Sequence, residues 1–518
     1  MWYNSSVNKQ KVKERIEMSG FICSDEKKKK ICFFKRSSGV LMNVSSLPGE
    51  YGIGTVGKEA RKFADFLAEG GFTYWQILPI NPVGDANSPY SSDGAFAGNY
   101  LYIDPEMLCE VGLISKATLE NCKYSGSPYT VDYEFVYKSR MFALEEAFGN
   151  ASESLLEKVE EFANENPHIR EYAEFFAVAK ANGYTPIGTW DKTKADERDV
   201  KLCLFIQYMF DVQWMAFKEY VNSKGVYIIG DMPFYVSLRS ADVYHNKELF
   251  QVDDQYVPSA VAGVPPDFFS LEGQLWGNPI YNWKEMEKQG FDWWIRRIKN
   301  SLKYHDIVRI DHFRAFASYW SIPADSDTAK NGKWVKGPRM KLFKAIKAAL
   351  GELPIIAEDL GEFGEDVEKL LADTAFPGMK IAQFGVWASD DSEHCPHNYP
   401  ENCVAYTGTH DNDTLLGSIF AMDDEGRERA LRYCSAEGVN WYEGGYYAPA
   451  CRKIIETLWR SNARVTILPF QDLCGFGSDT RMNIPGTSEG NWVYRTTEET
   501  IRNVDIGYYK KINETFRR

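Results

Sequence analysis

Nowhere in the chain is there a C-x-x-C pair, although ten cysteines are scattered through it. Zinc ribbons and dithiol redox motifs need that spacing, so both are set aside. His394, Cys395 and His397 lie close together, yet no second ligand pair follows at zinc-like spacing. No metal and no cofactor is expected, and the thiols read as reduced side chains of a cytoplasmic protein. An apolar run long enough to cross a bilayer is also missing. The first residues show no apolar stretch of a secretory leader and carry Lys9, Lys11, Lys13, Glu14 and Arg15. Basic side chains are in deficit: 59 Lys and Arg face 73 Asp and Glu, a net charge of −14. Phosphate backbones want a basic stripe, so nucleic acid is not an expected partner, and neither is a membrane. Internal repeats and low-complexity tracts are absent, which excludes a solenoid.

Apolar and aromatic side chains, by contrast, are plentiful. A 518-residue chain that is 44% hydrophobic can bury a large core, and an α/β barrel with insertions can use this length as one unit. The 14 Trp and 30 Tyr offer flat apolar rings. Such rings suit the C–H faces of sugars, but they also fill ordinary cores, so composition leaves both uses open.

Short apolar runs at 40–44, 74–78, 226–230, 307–310, 355–357, 380–384, 404–407 and 465–468 read as buried parallel strands. Eight is the number a closed (β/α)8 TIM barrel requires, so the fold class expected is α/β with that barrel. Between the first two runs, Ala60, Phe63, Ala64 and Leu67 repeat at helical spacing, and Gly70-Gly71 then stops the helix. Two gaps are too long for a plain βα unit. One, about 81–224, looks largely helical, with Ser152 or Ser154 as a helix cap. The other, about 236–304, is rich in Pro, Gly and aromatics and reads as active-site loops. Both follow the C-terminal ends of strands, the face where barrels build their sites. Residues 1–36, with a lysine run at 27–30, read as an N-terminal extension ahead of the 37–518 barrel.

Acids gather where the strands finish: Asp231 after the third run, Asp311 after the fourth, Glu358 and Asp359 after the fifth, Asp411 after the seventh, and Asp472 after the eighth. One Asp after a strand is commonly a helix cap or turn former. Several on one barrel face repel one another, and that cost points to a purpose. Arg309 and Asp311 are two apart and share a face of their strand. An arginine there favours the ionised carboxylate and fixes its rotamer. Glu358 and Asp359 are adjacent and point to opposite faces, so only one can reach a reacting centre. Retaining glycoside chemistry needs two carboxyls about 5–5.5 Å apart, one ionised and one protonated.

The segments VRIDHFRAF (308–316), IIAEDLG (355–361) and YTGTHDNDT (406–414) resemble those of the 4-α-glucanotransferases, also called amylomaltases or disproportionating enzymes. SSLPGEYGIGTVG (45–57), WQILPINPVG (75–84), SPYSSDGAFAGN (88–99), GDMPFYVSLRSADV (230–243) and GVPPDFFSLEGQLWGNPIYNW (263–283) agree in order and spacing. The resemblance implies roles. Asp311 matches the nucleophile, Glu358 the general acid/base, and Asp411 the third carboxylate, which binds sugar hydroxyls. Arg309 matches the arginine beside the nucleophile and His410 a sugar contact. Asp231 and Tyr90 match glucose-subsite positions, and Phe268 and Trp276 match rings of a loop over the acceptor side. For His312, sugar contact and helix cap stand level; Asn278 and Asn99 can each serve a turn or a hydroxyl; Trp75 reads as core. Glu272 departs from the pattern, since a small neutral residue is expected in that loop.

The implied reaction transfers a segment of an α-1,4-glucan donor to the 4-hydroxyl of a glucose or maltooligosaccharide acceptor, in a protein that is a monomer or homodimer. Two other readings stand beside it. A hydrolase of the wider α-amylase superfamily would share the carboxylates. A silent glucan-binding protein on the same scaffold would not need all three acids complete.

Overall fold

The computed structural model describes residues 35–266, 271–361, 364–387 and 392–518. The lysine run at 27–30, most of the 1–36 extension and Phe268 lie outside the described residues.

Twelve strands follow one another among the described residues: β1 (Ser37–Leu41), β2 (Tyr74–Gln76), β3 (Tyr227–Met232), β4 (Ala260–Val264), β5 (Gln274–Pro279), β6 (Ile307–Ile310), β7 (Ser318–Pro323), β8 (Lys333–Lys336), β9 (Ile355–Ala357), β10 (Gly378–Ile381), β11 (Cys403–Tyr406) and β12 (Val465–Pro469). Eight pair in parallel in the order β10-β11-β12-β1-β2-β3-β6-β9. That is chain order around a ring, opened between β9 and β10. The Ala357 N–H donates to the Pro377 carbonyl at 2.9 Å and brings the two ends together. The chain thus folds as a nearly closed (β/α)8 barrel.

Alternation along the strands fills the barrel. Leu41, Ile229, Ile356, Met379, Val404 and Ile467 form one buried cluster inside it. The Tyr406 hydroxyl donates to Gln76 Oε1 at 2.8 Å within that interior. The other strand faces pack on helices such as Lys58–Glu69, whose Ala60, Phe63, Ala64 and Leu67 are buried. Gly70 caps this helix, and Gly71 follows at φ 74°, a conformation that costs glycine little. Trp75 is fully buried, its indole N–H on the Met42 carbonyl at 2.8 Å, so it belongs to the core.

Several strand boundaries shift by one or two residues from the sequence expectation, and the first and sixth strands shift further. The first strand ends at Leu41, because the Asn43 amide bonds Ser45 Oγ at 2.6 Å and Val44–Ser46 forms a short 3-10 turn. The sixth starts at Gly378 and stops at Ile381; Ala382–Gly385 is a helical turn whose Gln383 N–H reaches the Thr407 carbonyl at 3.1 Å.

Between β2 and β3 lie the helices Tyr133–Gly149, Glu153–Glu165, Pro167–Ala181 and Glu197–Ser223. Ser152 caps the second, accepting from the Leu155 N–H at 3.3 Å. The later segment holds more than loops. Strands β4, β5, β7 and β8 form a separate antiparallel sheet, ordered β5-β4-β7-β8. One of its faces contributes Ala262 and Tyr319 to a core shared with Ile310, Phe313 and Ala357, so it stands over the C-terminal ends of β6 and β9.

Candidate active site

The centre of the site follows from strand register. Asp231 on β3 lies directly beside Arg309 on β6, and lateral neighbours share a face. The Arg309 Nη1 donates to both Asp231 oxygens at 2.7 Å, and its Nη2 meets Asp311 Oδ1 at 3.1 Å. One buried guanidinium therefore holds two carboxylates. Burial works against its charge, but Asp231 and Asp311 outweigh burial and keep the guanidinium above its ordinary pKa. Tyr90 completes this corner by donating from its hydroxyl to Asp231 Oδ2 at 2.7 Å.

Glu358 arrives from the end of β9. Its Oε2 accepts the His312 N–H at 2.7 Å and its Oε1 accepts the Leu360 N–H at 2.8 Å. His312 can make that bond because its backbone is left-handed, φ 50° and ψ 44°, an uncommon state for a residue with a Cβ. Its side chain caps no helix; the residue is half-buried and its ring lies 4.9 Å from Trp276, edge to face. Burial, then Arg314, pushes the imidazole down to about 3, so it is neutral at ordinary pH.

Asp411 closes the third side. Asn483 Nδ2 donates to its Oδ1 at 2.6 Å, His410 Nε2 stands 3.3 Å from its Oδ2, and Arg481 bonds its carbonyl at 2.6 Å. The His410 ring stacks on Tyr90, centroids 5.1 Å apart and planes 14° off parallel. Trp492 lies beside both.

The acids feel one another. Burial raises the Asp311 carboxyl; Arg309 pulls it down, while Glu358, Asp231 and Asp411 push it up. Burial also raises Glu358, against Arg309 and the N–H groups of Leu360 and His312, and with a push from Asp411. Asp311, Glu358, Asp411, Asp231, Arg309, His410 and Tyr90 thus meet at one place on the barrel face. Asp359 points away, and its Oδ1 accepts the Met379 N–H at 2.5 Å. Asp472 is also outside the group: it is a buried cap that accepts from the Leu415 N–H at 2.7 Å and the Thr407 hydroxyl at 2.5 Å.

On the β5 side, Trp276 is 38% exposed, enough ring surface to meet a ligand. Asn278 spends its amide N–H on the Val236 carbonyl at 2.9 Å and so anchors a loop. Asn99 caps a turn, accepting from Leu101 N–H at 3.0 Å. Glu272 pairs with Lys330 and accepts from Thr328 Oγ1 at 3.4 Å, tying the approach to β5 to the β7–β8 connection. Asn483, Arg481, Trp492 and Tyr235, whose ring lies 6.2 Å from Trp276 and 6.3 Å from His312, are not marked by the sequence. The first three lie beyond the last strand, in a stretch with no periodicity to mark it. Among the described residues no cluster of three or more His, Cys, Asp or Glu side chains is arranged to hold a metal.

With this geometry in view, the family model described as 4-alpha-glucanotransferase, glycoside hydrolase family 77, matches residues 42–500. A 4-alpha-glucanotransferase of Streptococcus pneumoniae is 42% identical over 506 residues, 93% of this chain and 98% of the relative. One from Thermus thermophilus is 41% identical over 481 residues, 89% and 94% of the two chains. Among solved structures, an amylomaltase from Streptococcus agalactiae in complex with acarbose superposes with a TM-score of 0.89 at 40% identity, over 93% of this chain and 100% of that one. The amylomaltase of Corynebacterium glutamicum shares the fold at 16% identity, TM-score 0.78, over 99% and 77%.

Proposed function

The chain belongs to the 4-alpha-glucanotransferase family, and from that premise we propose that it moves a segment of an α-1,4-glucan to the 4-hydroxyl of a glucose or maltooligosaccharide by two displacements that retain the α configuration. Asp311 is the nucleophile and Glu358 the acid/base. Burial raises both carboxyls, and Glu358 pushes Asp311 up further. The guanidinium touching Asp311 at 3.1 Å makes Asp311 the charged partner, and the proton goes to Glu358.

In the first step an Asp311 oxygen bonds to the anomeric carbon as the glycosidic C–O bond breaks. The proton of Glu358 passes to the departing 4-oxygen. In the second step the Glu358 carboxylate takes the proton of an incoming 4-hydroxyl, whose oxygen bonds to the anomeric carbon and expels Asp311. Asp411, fixed by Asn483 and His410, offers its carboxylate to the ring hydroxyls at the donor glucose. Tyr90 and His410 form one stacked wall there, with Asp231 and Arg309 behind it. Trp276 gives an acceptor sugar a face to lie on, with His312 and Asn278 as its near supports and the 236–304 insertion as the wall around it. A held acceptor excludes water, which favours transfer over hydrolysis. A cytoplasmic setting is supported by free thiols among the described cysteines, and no described helix is long and apolar enough to cross a membrane.

The observation that carries the reading is the Arg309 bridge between Asp231 and Asp311 on the same barrel face as the two-N–H cradle of Glu358. Incubation with maltotriose tests it. Longer maltooligosaccharides with glucose are expected; mostly maltose and glucose would make the protein a hydrolase. Asp311→Asn and Glu358→Gln should each lower turnover at least about 10³-fold. A β-configured product would reject the retaining mechanism.

A further inference from the structure

The barrel has one seam that the backbone alone does not close. Strand β9 pairs with β6 on one side, and β10 pairs with β11 on the other, but β9 and β10 form no regular ladder. The Ala357 N–H reaches the Pro377 carbonyl at 2.9 Å. In a parallel ladder the return bond would run from the Met379 N–H to the Ala357 carbonyl. Here that N–H goes to Asp359 Oδ1 at 2.5 Å. A side-chain carboxylate has taken the place of a backbone acceptor.

The replacement is built in from both strands. Asp359 is 6% exposed. Gly378, opposite, leaves the space its carboxylate fills: a Cβ there would stand 2.2 Å from Asp359 Oδ2. Burial pushes the Asp359 carboxyl up to about 7, and Lys380, buried on β10 and paired with Glu393, pulls the other way. Asp359 follows Glu358 directly, so whatever fixes the backbone of one fixes the other. Apart from the Leu360 N–H on its Oε1, the ties of Glu358 come from the β6 side: its N–H donates to the Ile310 carbonyl at 3.0 Å, its carbonyl accepts the Phe313 N–H at 3.0 Å, and its carboxyl takes the His312 N–H.

We propose that Asp359 is a positioning residue for the reaction: by accepting the Met379 N–H in place of the missing ladder bond, it staples β10 to the end of β9 and holds Glu358 at the distance its proton transfers require. This rests on Glu358 being the acid/base. A shift of about 1 Å at such a group costs on the order of 10²-fold in rate.

The test separates proton transfer from general damage. Turnover of maltotriose depends on an acid to protonate the leaving sugar; release of fluoride from an α-maltosyl fluoride does not, because fluoride leaves unprotonated. Asp359→Ala is expected to lower kcat on maltotriose about 10²-fold with KM little changed, while fluoride release in the first turnover stays near wild type. Asp359→Asn keeps an oxygen for the Met379 N–H and should rescue most of the loss. Gly378→Ala should reproduce the Asp359→Ala pattern, and the double variant should be no worse than either single one. The proposal is overturned if Asp359→Ala keeps its kcat, if fluoride release falls as far as maltotriose turnover, or if Asp359→Asn rescues nothing. Should Asp359→Ala fail to fold, the same contrast in Gly378→Ala decides. Glu358→Gln run in parallel keeps the two ideas apart, since retained maltotriose turnover there would sink the acid/base reading itself.

Discussion

Asp411 shows how far a single residue can be read without coordinates. Its place after a strand and beside a histidine is visible in YTGTHDNDT, but nothing in that segment says what holds it. The holder is Asn483, seventy-two positions away, with Nδ2 on Asp411 Oδ1 at 2.6 Å. A hydrogen bond to a charged group contributes about 1.5–3 kcal/mol, so Asn483→Ala should lower kcat/KM on maltotriose by about 10–100-fold. The Asp411 side chain is 42% exposed, and water can replace the lost donor in the fold, so the melting temperature should hardly move. A melting loss as large as the kinetic one would make Asn483 a structural residue instead. The same limit governs the other acids. Arg309 and Asp311 could be put on one face because strand periodicity is local. Whether an acid at a strand end serves the site or caps a helix is not local. Asp472 looks like Asp311 in sequence, yet its oxygens are spent on Leu415 and Thr407, both brought in from the β11 side.

At the scale of elements, the eight barrel strands were readable because each is buried on both faces and so appears as a continuous apolar run. The antiparallel sheet was not. Its strands are four to six residues long, two of them end in Pro279 and Pro323, and Gly263 and Gly277 interrupt the pattern. Pro and Gly at that density read as loop. The physical reason for Gly263 is proximity: a Cβ there would meet the Gln274 carbonyl oxygen at 2.1 Å. This sheet matters because β5, one of its two edge strands, carries Trp276 out to His312. An acceptor ring resting on the indole would lose its platform in Trp276→Ala. The expected result is a higher KM for acceptor glucose and a larger share of hydrolysis, read as reducing ends released per glycosidic bond cleaved. Truncating one aromatic platform costs about 1–3 kcal/mol of sugar binding, so KM should rise about 5- to 100-fold. An unchanged ratio of transfer to hydrolysis would place the acceptor elsewhere.

For the molecule as a whole, the pH dependence of stability follows from which groups are buried in the wrong charge state. Burial raises Asp472 from 3.8 to about 7. Its folded form holds a proton that the unfolded chain has released, so its contribution is fully present below pH 3.8 and is lost as pH rises through about 7. Burial lowers His305 from 6.5 to about 3. There the unfolded chain takes up the proton first, so the contribution is present above 6.5 and is lost as pH falls toward 3. His312, at about 3, and His168 and His394, at about 4, act in the same direction as His305. Single-residue differences isolate these opposing slopes, each pK unit being worth about 1.4 kcal/mol. Relative to the parent protein, Asp472→Asn should gain stability as pH is raised from 4 to 8, because it removes a group that must be charged in the dark interior. His305→Gln should gain as pH is lowered from 7 to 4, because it removes one that must stay uncharged while the unfolded chain protonates. Chemical denaturation at several pH values measures both differences. Parallel curves for parent and variant would mean that the group titrates alike in the folded and unfolded chains, and that its burial is relieved by water reaching it.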